Sequence, residues 1–154
     1  MNSRYDVLVC GAGPAGLAAA EAAAGRGATV GLIDAQAAAG GQIWRRDLGH
    51  GGARNGARAI GGAMRVPNVS FIPQSQVVAA GNDELLLEQP EGALRLRFGN
   101  LVIATGAREL LLPFPGWTLP GVTGAGGLQA LVKQAWPISG KRVVVAGSGP
   151  LLLA

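Results

Sequence analysis

Apolar and polar positions divide this chain into short blocks whose period changes along its length. Tyr5-Asp6-Val7-Leu8-Val9-Cys10 is an almost continuous apolar run and predicts a strand over 5–10. An alanine-rich stretch predicts a helix over 14–25, and a second apolar run predicts a strand over 28–34 that closes on Asp34. Residues 35–43 read as a loop containing Gly40-Gly41-Gln42, and 44–53 as irregular. A helix is expected over 54–64, although Gly56, Gly61 and Gly62 weaken it. Val69–Ile72 follows the Pro67-Asn68 turn as a short strand.

The period then shortens to two. Gln76–Ala80, Glu84–Gln89 and residues 94–98 are expected as three strands of a meander, with turns at 81–83 and 90–92. Residues 101–104 are apolar at consecutive positions, which predicts a strand buried on both faces. A proline-rich loop over 107–121 and a short helix over 127–135 come next. After Lys141-Arg142, apolar residues 143–146 lead into Gly147-Ser148-Gly149-Pro150, which repeats the opening of the chain.

The first turn carries the chemistry. Gly11-Ala12-Gly13-Pro14-Ala15-Gly16 joins a strand to a helix, and Asp34 stands 23 residues after Gly11 at the end of the next strand. With 26 glycines in 154 residues, a G-x-G-x-x-G match is expected about once by chance, so the context decides. Gly11 permits a sharp turn, Gly13 lets the backbone approach a phosphate, and Gly16 lets the helix pack on the strands. Free N–H groups and the positive end of the helix would hold a pyrophosphate, and Asp34 would accept hydrogen bonds from a ribose. Glycines used only for packing would need no acid at that spacing.

Composition narrows the class. The length suggests about one domain, and 49% apolar residues suffice for a real core. No uncharged apolar run is long enough for a membrane helix. No leader pattern opens the chain, so the expected location is cytoplasmic, with peripheral membrane association left open. One cysteine, Cys10, excludes an internal disulfide and a C-x-x-C pair; at the end of an apolar strand it reads as a small buried hydrophobe. One His and one Cys cannot build a structural zinc site, and no metal is expected. The charge is +4, and Arg45, Arg46, Arg54, Arg58 and Arg65 cluster with only Asp47 against them. Interleaved aromatics are missing, which disfavours nucleic acid and favours a solvated connecting segment. His50 lies among glycines and reads as an exposed side chain. Trp44, Trp117 and Trp136 read as packing residues.

Two strand–glycine starts, a meander between them, and Ala104-Thr105-Gly106 at a strand end together resemble the flavoproteins with two dinucleotide-binding domains. The resemblance spans the whole chain. It implies an α/β fold: a Rossmann-like FAD-binding domain with a parallel sheet and an inserted three-stranded meander, plus the start of a second Rossmann unit. The expected domains are 1–106 for FAD, 107–137 as connector and 138–154 as the start of the second unit. An apolar strand without its covering helix gives the expectation that the chain is an amino-terminal piece.

By that likeness Gly11, Gly13, Pro14, Ala15 and Gly16 would contact the FAD pyrophosphate, and Asp34 the adenosine ribose. Val77 would meet the adenine through its backbone, and Ala104, Thr105 and Gly106 would pass near the cofactor. Gly40-Gly41-Gln42-Ile43-Trp44-Arg45-Arg46 and the 104–122 segment look like those of a subgroup. It holds the FAD-binding alpha-type subunits of hydrogen cyanide synthase, opine oxidase and related amino-acid dehydrogenases. Such proteins pair with a second flavoprotein subunit that oxidises an amine or amino acid. Gly41 and Gln42 would then lie over the cofactor, and Arg45 near the flavin or a substrate carboxylate. NAD(P) stays open as a second cofactor, yet Leu152 stands where the second turn's third glycine should be. No side chain is assigned as catalytic, because the flavin carries the redox chemistry.

Overall fold

The computed structural model describes residues 3–44, 54–133 and 136–149. It divides into two compact units, Met1–Gly106 and Ala107–Ala154.

The first unit is a six-stranded sheet with helices. Its elements are β1 (Arg4–Cys10), α1 (Pro14–Ala24), β2 (Val30–Ile33), α2 (Gly41–Trp44), α3 (Arg54–Arg65), β3 (Val69–Ile72), β4 (Gln76–Ala80), β5 (Glu84–Gln89) and β6 (Gly92–Ile103). The strand order is β3-β2-β1-β6-β5-β4. β3, β2, β1 and β6 run parallel, and β4, β5 and β6 form the antiparallel meander. The chain steps outward from β1 to β2 and β3, then returns to β6 on the other side of β1. That reversal leaves a crevice beyond the carboxyl ends of β1 and β6.

The fold is α/β and Rossmann-like, with one change in the strands. Residues 94–98 and 101–104, expected as separate strands, lie on one continuous course through β6 to its exit at Ala104. Arg97 is the joint, paired with Glu84 of β5 on one side and Arg4 of β1 on the other. Gly99 lets the backbones close there, since a Cβ would sit 3.1 Å from the Asp6 carbonyl oxygen. Burial on both faces also fails at the end of β6, where Ile103 is 74% exposed. The helices cover the face that carries Val102 and Ala104, and the meander core ends at Leu101.

Two apolar clusters hold the sheet. Val9, Leu17, Ala20, Val30 and Leu32 fill the helix side, and Leu8, Ile33, Ile72, Leu85, Leu87 and Leu96 the meander side. Each fully buried large side chain contributes about 1.5–3 kcal/mol. Gly31 makes room in the second cluster: a Cβ there would lie 2.5 Å from Leu8 Cδ2 and 3.1 Å from the Tyr5 ring. Gly16, Leu17, Ala20 and Ala24 face inward along α1, and the small size of Gly16, Ala20 and Ala24 brings the helix close to the sheet. Cys10 is buried, as its sequence context implies, and that burial pushes its thiol pKa up.

Helix α3 forms despite its glycines, each of which costs about 1 kcal/mol relative to Ala. Ala63 is fully buried, and Ile60 and Met64 pack on the same cluster as α1. That packing outweighs propensity. Arg58 and Arg65 are exposed, as expected of a solvated segment. Arg45, Arg46, Asp47 and His50 lie outside the described residues, as does the side chain of Arg54.

In the second unit, α4 (Ala125–Lys133) is the only helix among the described residues, close to its expected span. Glu109 caps it: Gly126 N donates to Oε1 and Gly127 N to Oε2, both at 3.1 Å. Between them the chain makes successive turns, closed by Trp117 N to Phe114 O at 3.0 Å, Leu119 N to Gly116 O at 3.0 Å and Val122 N to Leu119 O at 3.1 Å. Trp117 and Trp136 are exposed, unlike the packing role expected of them; Trp44 packs as expected. Residues 142–146 form no strand, and Val144 is 91% exposed. An isolated apolar strand has no ladder partner to satisfy its backbone, and none runs beside these residues among those described. Pro150 and Leu152 lie outside the described residues.

Candidate functional site

Three strand ends and one loop converge on the first glycine turn. Gly11 leaves β1 at φ +103°, a conformation that favours glycine. Its amide donates to the Ile33 carbonyl of β2 at 2.7 Å, and Ala104 N donates to the Cys10 carbonyl at 2.8 Å. A Cβ on Gly11 would strike the Ala104 carbonyl and reach 3.1 Å from Thr105 Cα. Ala104 and Thr105 therefore lie directly against the turn, and Gly106 follows at φ +75°. On the other side, a Cβ on Gly16 would strike the Gly11 carbonyl oxygen. The turn is clamped between β6 and its own helix.

Gly13 is the N-cap of α1, in extended conformation, and accepts the first helical bond from Leu17 N at 2.9 Å. No side chain caps the helix, Pro14 occupies its first turn, and no acidic residue sits there. The amides of Ala15 and Gly16 thus belong to a helix start whose positive end is unneutralised, the arrangement that holds phosphate oxygens. A Cβ on Gly13 would meet only Gly41 Cα, at 3.9 Å, so space lies open before it.

The segment expected as a loop over 35–43 ends in the helical turn α2. Gly40 N donates to the Ala12 carbonyl at 2.7 Å, and Trp44 N to the Gly40 carbonyl at 3.0 Å. Gly41 stands at φ +57°, and a Cβ there would come within 3.0 Å of Gly13 Cα. Gly41 and Gln42 are thereby seated beside the glycine turn, and Ile43 is exposed.

Asp34 closes the arrangement. Its Oδ2 accepts the Ala12 amide at 2.7 Å and its Oδ1 the Gln36 amide at 2.8 Å. A carboxylate has about four lone-pair positions, so two remain open to further donors. Val77 lies two residues beyond Ser75, whose amide donates to the Asp34 carbonyl at 2.9 Å. It belongs to the exposed edge strand β4, at a bulge between Val77 and Ala79. A groove of about 560 Å³ opens between the 35–37 segment and the meander, lined also by Gln74, Gln76, Glu88, Gln89 and Pro90.

Sequence reasoning missed two parts. Ala12 reads as filler between glycines, yet its amide meets Asp34 and its carbonyl meets Gly40. Ser75 is buried and carried no motif. No cluster of three His, Cys, Asp or Glu could hold a metal among the described residues, and no helix there is long and apolar enough to cross a membrane.

Glycine turn, uncapped helix start and strand-end acid define a dinucleotide-binding domain of Rossmann type. The chain belongs to the pyridine nucleotide-disulphide oxidoreductase family, whose model matches residues 5–151. It is 40% identical over 159 residues to an opine oxidase subunit from Rhizobium meliloti (strain 1021), a match that covers 97% of this chain and 34% of that protein. It is 35% identical over 157 residues to hydrogen cyanide synthase subunit HcnB of Pseudomonas aeruginosa, covering 94% of this chain and 34% of that protein. The chain thus spans about a third of the length of these curated relatives. Among solved structures, L-proline dehydrogenase from P. horikoshii shares the fold, with TM-score 0.67 and 21% identity over 86% of this chain and 28% of that one. The family is one of oxidoreductases, but Cys10 is the only cysteine of this chain, so no redox dithiol lies within it.

Proposed function

We propose that this chain is the FAD-binding part of an oxidoreductase subunit that oxidises an amino acid, an opine or a similar amine and passes the electrons to an acceptor. The observation that carries it is the convergence of the uncapped α1 terminus, Asp34 and the Gly41 loop on one open space before Gly13. The residues present fit FAD. Gly11, Gly13, Pro14, Ala15 and Gly16 would hold the pyrophosphate, and Asp34 the ribose through its two remaining lone-pair positions. Val77 would meet the adenine at the β4 bulge. Gly41, Gln42, Ala104, Thr105 and Gly106 would flank the cofactor on its way toward the flavin.

FAD held by these residues would supply the two-electron chemistry needed to oxidise the carbon beside an amine nitrogen. This chain's own part is to bind and orient. The backbone N–H groups of the α1 start offset phosphate charge without a lysine or arginine, and Asp34 fixes the sugar. On this reading residues 1–106 are the FAD domain, 107–137 the connector and 138–154 the start of a second dinucleotide-binding domain. Pairing with a second flavoprotein subunit is supported by the names of the opine oxidase and hydrogen cyanide synthase relatives, both of which are subunits.

A second reading, an NAD(P)H-dependent flavoprotein reductase, is favoured by the second glycine turn at Gly147 and Gly149. The test is to purify the chain with its second subunit, record the flavin absorption band, and follow dye reduction with amino acids, opines and NAD(P)H. A flavin band with amine-dependent reduction supports the first reading. Reduction by NAD(P)H alone supports the second, and a colourless protein that takes up no FAD overturns both.

A further inference from the structure

We infer that Ser75 and Gln89 form a positioning lock that sets the adenosine end of the cofactor site, an inference resting on the FAD reading above. Ser75 is 2% exposed and every polar atom of its side chain is used. Its hydroxyl donates to the Pro73 carbonyl at 2.8 Å and accepts from Gln89 Nε2 at 2.7 Å. Its own amide donates to the Asp34 carbonyl at 2.9 Å. One small residue therefore ties together three places: its amide holds the end of β2, and its hydroxyl holds the link between β3 and β4 and the end of β5.

Neighbouring contacts show that this link is specified and not a chance crossing. Gln74 N donates to the Gln36 carbonyl at 3.1 Å, and Gln36 N donates back to Asp34 Oδ1 at 2.8 Å. Gln74 stands at φ +50°, the only non-glycine residue at positive φ among those described. Such backbone strain persists where its surroundings over-determine it, and it clusters at ligand sites. Here the surroundings are the lock itself. The groove lined by Gln36, Gln74, Gln76 and Gln89 begins at Ala35, one residue past Asp34.

The consequence concerns spacing. Asp34 addresses the ribose, and Val77 lies two residues past Ser75 on the strand that would meet the base. The distance between those two contacts is set by the Ser75 amide on one side and by the Gln89 side chain on the other. A buried hydroxyl between two polar partners is worth more than its pair energies when full, and its removal releases the Gln89 side chain from its fixed position. The lock should therefore govern affinity for the adenosine half of the cofactor, while the glycine turn, held by β1, β2 and β6, keeps its geometry.

The experiment is calorimetric titration of the full chain with FAD and with ADP, the half that reaches only the turn, Asp34 and the base contact. Variants are Ser75→Ala, Gln89→Leu, Asp34→Ala and the Ser75→Ala/Asp34→Ala pair, each titrated well below its melting temperature. The lock predicts about tenfold weaker ADP and FAD binding for Ser75→Ala and for Gln89→Leu. It also predicts that the paired variant loses less than the product of the two single losses, because the Ser75 hydroxyl holds in place the backbone amide that binds the Asp34 carbonyl. ADP affinity within twofold of wild type in folded Ser75→Ala and Gln89→Leu, with only the melting temperature lowered, assigns Ser75 to plain stability and overturns the lock. A multiplicative loss in the pair also overturns it. If wild type binds ADP while these results fail, the FAD reading survives without the lock; if wild type takes up neither ligand, both fall.

Discussion

Asp34 Oδ2 accepts the Ala12 amide at 2.7 Å, so the acid at the end of β2 holds the backbone of the turn at the end of β1. On the proposed FAD reading the carboxylate has two tasks, shaping the turn and addressing the sugar. Asp34→Ala is expected to weaken FAD binding by about 1–3 kcal/mol through lost charge-assisted hydrogen bonds. It should also lower the melting temperature of the unliganded chain, because Ala12 and Gln36 lose their acceptor. Asp34→Asn keeps one acceptor oxygen and should recover part of the stability but little of the affinity. Titration and a thermal melt on the same samples separate the two tasks. Full affinity in Asp34→Ala would remove the sugar role.

The three glycines of the turn should respond differently. Gly16→Ala drives a Cβ into the Gly11 carbonyl and Gly11→Ala into that of Ala104, both fixed backbone. Each is expected to cost about 1–3 kcal/mol or more of stability. Gly13→Ala meets nothing closer than Gly41 Cα at 3.9 Å, so its folding cost should stay near the N-cap preference, about 1 kcal/mol. If FAD binds as proposed, its flavin band should nonetheless be lost, since the methyl would fill the space the pyrophosphate needs. Circular dichroism melts report the folding cost and flavin absorbance the binding.

Asp6 and Thr29 give an acid-dependent term. Thr29 N donates to Asp6 Oδ2 at 2.8 Å and Thr29 Oγ1 donates to the same oxygen at 2.7 Å, joining the starts of β1 and β2. The Thr29 backbone bond, then its hydroxyl bond, holds the Asp6 carboxyl below its ordinary range. The folded value lies below the unfolded one of about 3.9, so the contribution is fully present above that pH. It fades as pH falls through the folded value. Asp6→Asn should flatten the loss of melting temperature between about pH 5 and pH 2 relative to wild type. Parallel slopes for the two proteins would contradict this.

Glu109 governs the second unit. Its carboxylate takes the Gly126 and Gly127 amides at the start of α4 from 17 and 18 residues away in sequence. Glu109→Ala should cost the helix about 0.5–2 kcal/mol, as for other lost N-caps. Hydrogen exchange at the Gly126 and Gly127 amides should accelerate, with amides in β1 and β2 unchanged as internal reference.

The fold and site are legible in the sequence where one residue type answers one local demand. Gly11, Gly13, Gly16 and Asp34 stand where a strand–turn–helix–strand unit needs them, and period-two alternation marks the meander. What escapes depends on contacts between distant segments. Ala12 and Ser75 carry no signal, because their roles come from a backbone amide and a hydroxyl whose partners lie 22 and 14 residues away. Helix α3 looks weak by glycine propensity, which is local, whereas burial of Ala63 against α1 is not. Residues 142–146 have the composition of a strand, but a ladder needs a neighbour that composition does not supply.

The unbroken course of β6 has a consequence for how such chains can vary in length. One edge of the strand is zipped to the meander and the other to β1, and both registers meet at Arg97. The turns at 81–83 and 90–91 can lengthen without disturbing either register. A single insertion between Arg97 and Ala104 would push the strand exit along by about 3.3 Å and turn its side chains to the opposite face. Ala104 would then no longer rest on Gly11. Among proteins built this way, the meander's hairpins are free to grow, while the seven steps from Arg97 to Ala104 act as a ruler of fixed length.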